Sequence, residues 1–495
     1  MRRLQAANAV LITFCRFVSG GQFHDEPDSL SWYHKEVDLL AQLKSRLTGS
    51  LNHNLFINHL ELELQNFGLK VLADNFEFAY DDGPLGPLGL RIEEQSVAPS
   101  MFVPYSGNTN ADGVTGELVT IVNPAQGSPD WQHAIGRIAV LKTSNPPFNA
   151  EAALAPWPGS PPWGDVAAVP AATANGVVRN LTDAAEMGVK AVIYAWDNVT
   201  AANAFGQYGP FKMNYQGIPA IYTAGETTTQ IMEAASDGKT ATVMLRGSLK
   251  SNATTRTLWT LVEGTELKNE TVIISTHTDG TNTVEENGHL ALLAKARELA
   301  SSPPRHTTIL VFLTGHLHTS GFTDTGRVMQ RWLSDHTDLW RGHGPNELTG
   351  VFGSCVEHLG AVHWFQDLSY DLYYPTGEFE QEWLYAATEQ LTSLLEKEWE
   401  GVIPGLRRII NPIKSAPKQE QSGEGLPFLW NNIPEISLVT SPDWLLKLWP
   451  ENFDERQLLD VTAAKRQVDS FLRIWRAVDG MERADFGKVS YKRPV

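Results

Sequence analysis

A chain of 495 residues is about three times the length of a typical domain, so two or three domains with at least one sizeable core are expected. The formal charge of −18, with no clustered Lys and Arg, excludes nucleic acid and anionic membrane as main partners. Two cysteines, Cys15 and Cys355, are too few for a disulfide framework or a cysteine-rich zinc site, and no apolar run reaches the ~18 to 20 residues of a membrane span.

Residues 1–29 are an N-terminal extension. Arg2 and Arg3 precede an apolar stretch from Ala6 to Phe14, but it is short, broken by Asn8 and followed by no small-x-small cleavage site. Secretion and a cytoplasmic location both stay open, and sequons beginning at Asn180, Asn198, Asn252 and Asn269 do not decide between them. From Leu30 to Leu47 the residues Trp32, Val37, Leu40, Leu43 and Leu47 recur at helical spacing. A second helix is predicted from Asn54 to Phe67, closed by Gly68, followed by strand material at Leu69–Val71 and Phe76–Phe78. Residues 30–112 thus form the first part of a domain whose apolar faces need partners from later in the chain.

Between 113 and 248 the pattern changes to short strands with many Gly and Pro. Gly136–Leu141, Val189–Tyr194, Gly217–Tyr222 and Ala241–Leu245 read as strands, and Asn180–Met187 as a short helix ended by Gly188. The ordered triple "GRIAVLK", "AAEMGVKAVIY" and "GIPAIYT" resembles a protease-associated (PA) domain. The proline-rich loop from Phe148 to Trp163 carries Trp157 and Trp163; it is either a packed surface loop or an apolar lid over a substrate.

Residues 249–495 return to alternating strand and helix. A β-branched run, Val272–Ile274, leads into His277-Thr-Asp279, then an acidic loop with Glu285 and Glu286, then a helical pattern from Gly288. Thr308–Leu313 is a buried-type strand followed by His316 and His318, and the strand from Val351 ends in Glu357 and His358. A long amphipathic helix is predicted from Glu380 to Trp399, a strand over Ile433–Thr440, and a last helix from Glu455 to Val478. In parallel α/β sheets ligands collect beyond the carboxyl ends of the strands, so three successive ends carrying His and acids form one constellation. Imidazoles and carboxylates together are donors that zinc-like ions accept. No Gly-x-Ser-x-Gly elbow supports serine catalysis, and Cys355 reads as a buried small residue.

From about Leu43 to Val478 the chain resembles the M28-type zinc aminopeptidases that carry an inserted PA domain. The motifs are "RLTGS", "LQNFGLKV", "HTDG", "EENG", "VFLTGH", "EHLGA" and "IPEISL". The resemblance implies a mixed, mostly parallel α/β sheet flanked by helices, with a small β-rich insert. It makes His277 a metal ligand with Asp279 as its orienting partner, puts Glu286 where the family's metal-bridging acid stands, and Glu357 where a later acid ligand stands. The family's Glu-Glu pair falls on Gly315-His316, so the usual general base is absent, and no histidine follows His363 to supply the late ligand. At most one zinc or other divalent ion is implied, on His277, Glu286 and Glu357 with His316 as a fourth ligand, and a metal-free site is the alternative. Glu285, His316, His318 and His358 are the candidates for acid–base work. The implied function is hydrolysis of an amide, peptide or ester bond in a peptide or small molecule. A non-hydrolytic enzyme running proton transfer, cyclisation or elimination, and a catalytically inactive binding protein, are the alternatives.

Overall fold

The computed structural model describes residues 29–83, 86–124, 127–163, 166–172, 178, 180–345 and 347–493. The signal-like stretch and Cys15 lie outside them. Eight strands form the sheet that positions the site, in the order Leu72–Asp81, Leu249–Val262, His306–Leu313, Leu267–His277, Thr349–Glu357, Glu435–Val439, Glu382–Ala386 and Arg407–Ile410. The four strands from His306–Leu313 to Glu435–Val439 run parallel, and the antiparallel pairings lie to either side of them. Parallel strands are buried on both faces because their crossover helices cover them. Period-two alternation divides the central residues accordingly: Ile273, Ile309 and Val311 join one core, Val272, Ile274, Leu310 and Phe312 the other.

Helices Leu30–Leu43, Leu51–Asn66, His289–Ser301 and Val461–Asp479 cover the second of these faces. The last begins where Asp460 accepts from the backbone N–H of Ala463, and it buries Val468, Phe471, Leu472, Trp475 and Val478 along one stripe. Helix Val328–Asp335 packs on the opposite face through Val328, Met329, Trp332 and Leu333.

The long helix expected over 380–399 is instead a strand, Glu382–Ala386, and a shorter helix, Glu389–Glu398. Leu384 and Tyr385 pair with strands on both sides, and Thr388 caps the helix by accepting from Leu391 N, so tertiary pairing overrides the amphipathic pattern. The 14-residue strand Leu249–Val262 carries no strong apolar signal because its buried positions include Thr255, Thr257 and Thr260.

A second eight-stranded sheet is built wholly from residues between Leu72–Asp81 and Leu249–Val262 of the first. Its parallel strands are Val114–Ile121, Ile138–Ser144, Ala191–Asp197 and Ala220–Thr223. It also draws in Leu88–Ile92, Gln95–Val97 and Met101–Phe102, which precede residue 113. The tryptophan loop is not a lid. Trp163 packs edge-on against Trp383 at 5.2 Å, Trp157 Nε1 donates to Ala386 O at 3.0 Å, and Pro156 bridges to Ile410. Its backbone runs along the outermost strand and covers an edge that would otherwise expose unpaired peptide groups.

Candidate functional site

The strands His306–Leu313, Leu267–His277 and Thr349–Glu357 are neighbours in the sheet, with His277 in register with Leu313. Their carboxyl ends therefore deliver His277, the His316 loop and Glu357 to one place. His277, Glu285, His316, Glu357 and His358 are all buried, none more than 6 % exposed. The rings of His277 and His316 stack with centroids 4.0 Å apart.

All three imidazoles are held in the same way. His277 Nδ1 lies 2.9 Å from Asp279 O, His358 Nδ1 meets Thr440 O, and His316 Nδ1 lies 2.8 Å from Glu424 Oε1. A carbonyl or carboxylate oxygen only accepts, so each Nδ1 carries the hydrogen and each Nε2 turns a lone pair inward. His277 Nε2 is 4.0 Å from Glu357 Oε2, His358 Nε2 is 3.9 Å from the same oxygen, and His316 Nε2 is 3.7 Å from Glu285 Oε1. Among the described residues, two groups of three have ligand atoms within 4.8 Å of one another: His277, Glu357 and His358, and His277, Glu285 and His316. In the first group every inward atom, His277 Nε2, Glu357 Oε2 and His358 Nε2, is buried and has no hydrogen-bond partner. Buried polar atoms are nearly always satisfied, so three unpartnered atoms this close together fit a cation, and nitrogen with oxygen donors fits zinc.

The charges point the same way. Burial pushes the His277 imidazole well below its usual range, helped by His316 and His358, and burial takes His358 down to about 3. Both rings are neutral, as ligands must be. Burial also raises the carboxyls of Glu285 and Glu357, and Glu285 is raised further by Glu286, Asp279 and Glu357. Burial opposes protonation of His316, yet the Glu424 carboxylate beside it raises its pKa overall.

Glu286, expected among the ligands, is in neither group. Its carboxylate meets the Arg46 guanidinium in a fully buried ion pair, and Arg46 also donates to Leu40 O, Lys44 O and Asn282 O. Burial still raises Glu286 to about 8. Of the two neighbouring carboxylates it is that of Glu285 that lies against His316. Gly280 makes the crowding tolerable, because a Cβ there would lie 1.5 Å from Glu286 Oε2.

Asp279 orients His277 through its main-chain carbonyl, while its carboxylate accepts from Thr48 Oγ1 at 2.5 Å and Leu317 N at 2.9 Å and so braces the His316 loop. His318 is apart from the cluster, stacked on Tyr105 at 4.2 Å. Glu424, unmarked in the sequence, ties the site together. Its Oε1 holds His316, its Oε2 accepts from Met329 N, and its own N–H donates to Glu357 Oε1 at 2.8 Å. A single acid between two glycines, 67 residues from Glu357, carries no local signal of that role.

The mixed sheet flanked by helices is similar in fold to those of solved zinc aminopeptidases. The solved structures similar to this chain include an aminopeptidase from Aneurinibacillus sp. strain AM-1, 14% identical with TM-score 0.57, covering 95% of this chain and 98% of that one. A zinc aminopeptidase from Bacillus subtilis is 15% identical with TM-score 0.59 over 94% and 100%. A peptidase M28 precursor from Shewanella amazonensis is 15% identical with TM-score 0.57 over 94% and 99%. At such identities the likeness is one of fold. No family model and no curated protein matches the chain.

Proposed function

We propose that this protein is a metallohydrolase acting on an amide, peptide or ester bond, with a single divalent ion, zinc by its donors, at the strand ends. The observation that carries this reading is the convergence of three buried, partnerless ligand atoms on His277, Glu357 and His358. His358 takes the part of the late histidine that the sequence lacks. Its φ of +62°, a left-handed conformation rare outside glycine, together with the hydrogen bond to Thr440, aims Nε2 at Glu357. The alternative group with Glu285 and His316 shares His277, whose one inward lone pair serves one ion only, which argues for a single metal.

When bound, the ion would polarise water and stabilise a developing oxyanion. The chain's own residues supply the rest. Glu285 faces His316 at 3.7 Å and is the carboxylate that would take a proton from the attacking water and hand it to the leaving group. Glu424 fixes the His316 ring, and burial of the cluster keeps bulk water out. The inserted unit is read as a PA domain because Ile138–Ser144, Ala191–Asp197 and Ala220–Thr223 stand side by side in the order its motifs suggest.

One observation favours the second reading, a non-hydrolytic enzyme. Position 315, where the family's base would stand, has φ +92°, and a Cβ there would lie 2.6 Å from the Phe322 ring. The place of that base is closed.

Elemental analysis of protein purified without chelators, beside a His277→Ala/Glu357→Ala variant, tests the reading. About one zinc per chain, lost in the variant, supports it. No metal in either protein ends the metallohydrolase reading and leaves acid–base chemistry or binding around Glu285 and His316.

A further inference from the structure

Next to the cluster lies a cavity of about 520 Å3 lined by Phe211, Lys212, Met213, Asn214, Gly326 and Arg327, with only neutral residues completing its described lining. Among the described residues two cations line it and no carboxylate does. Arg327 is half-buried; it donates to Gly326 O at 3.1 Å and Gln421 O at 3.4 Å, and its Nε is buried without a partner. Carbonyl oxygens solvate a guanidinium but do not neutralise it. In a chain of net charge −18, a cavity with two positive groups and no opposing acid among the described residues is suited to an anion.

The cavity and the cluster share their walls. Phe211 lines the cavity and stands edge-on to the His316 ring at 5.3 Å. Its carbonyl accepts from Thr319 Oγ1 at 3.0 Å and from Ser320 N at 3.2 Å, so this segment of the inserted unit is fastened over the His316 loop. Gln421, the acceptor for Arg327, lies three residues before Glu424, the carboxylate that holds His316.

We infer that this cavity binds the carboxylate of the substrate through Arg327 and Lys212, so that the protein acts on small acidic amides or peptides with a free carboxylate. The bond attacked rests on the metallohydrolase reading; the anion site does not. Arg327 offers a planar fork to the carboxylate, and Lys212 closes over it from the solvent side.

Calorimetric titration of the full chain with N-acetylalanine and N-acetylalaninamide tests this, since the two differ only in the carboxylate. The protein as purified is expected to bind the acid about tenfold more tightly than the amide. That preference falls to about one in Arg327→Gln and falls several-fold in Lys212→Gln. Lys212 is exposed, so its substitution leaves the fold intact even where Arg327→Gln does not. The His277→Ala/Glu357→Ala variant keeps the preference, because the cavity does not use the cluster. Native protein that carries no zinc but still prefers the acid therefore counts against the metal reading alone. Equal binding of acid and amide, no heat from either up to about 10 mM, or a preference untouched by both cavity substitutions overturns the anion site and leaves the metal reading standing.

Discussion

Gly315 shows how one residue fixes what chemistry the site can do. Its positive φ and the Phe322 ring leave no room for a side chain, so Gly315→Glu is expected to lower stability by about 3 kcal/mol in chemical denaturation and to restore no catalysis. Arg46 acts on the same loop from the other side. Removing one partner of a buried ion pair strands the other, so Arg46→Met costs about 3–5 kcal/mol, and the double variant Arg46→Met/Glu286→Gln recovers part of it. A double-mutant cycle measures that recovery; additive losses would mean that the two residues do not act together.

Among the elements, helices Leu30–Leu43, Leu51–Asn66 and His289–Ser301 meet at a buried carboxylate. Glu36 Oε2 lies 2.9 Å from His59 Nε2 and 3.3 Å from His289 Nε2. Burial opposes ionisation of Glu36, but His59 and His289 hold its carboxyl far below the usual range, and Glu36 raises His59 against its own burial. Burial lowers His289, which limits the charge on this cluster. The Glu36 contribution is present above 4.5, its ordinary value, and is lost as pH falls through the depressed folded value. The His59 contribution is complete below 6.5 and is lost as pH rises through the raised one. The stability gap between the native chain and Glu36→Gln is therefore expected to peak between about pH 5 and 6, at about 3 kcal/mol, and to narrow on both sides. A gap independent of pH from 4 to 9 would exclude this pairing.

The two sheets are joined by polar contacts as well as apolar ones. Lys447, fully buried, donates to Ala202 O at 2.6 Å and to the carbonyls of Asn203 and Phe205, closing the end of the short helix Ala201–Ala204 in the inserted unit. Asp443 accepts from Asn203 Nδ2 at 2.8 Å and Tyr373 OH at 2.5 Å beside it. Lys447→Met leaves those carbonyls without their donor and is expected to speed hydrogen exchange at residues 204–206 by about tenfold or more, with the central strands unaffected. Because the same unit supplies Phe211 over His316, loosening this junction also reaches the site.

The sequence by itself determined the α/β alternation, the strand ends and the residue types gathered there, because hydrophobic periodicity and strand-end position are local properties. Val272–Ile274 before His277 and Ile309–Leu313 before His316 are legible for that reason. Tertiary structure alone decided that Glu285 faces His316 while Glu286 pairs with Arg46, that Asp279 acts on His277 through its carbonyl, and that His318 leaves the cluster for Tyr105. It alone brought Glu424 to His316 across 108 residues and set Phe211 and Arg327 at the cavity beside them. Adjacent side chains on a loop have no fixed direction until distant partners claim them, and those partners are chosen by burial and charge in the folded chain.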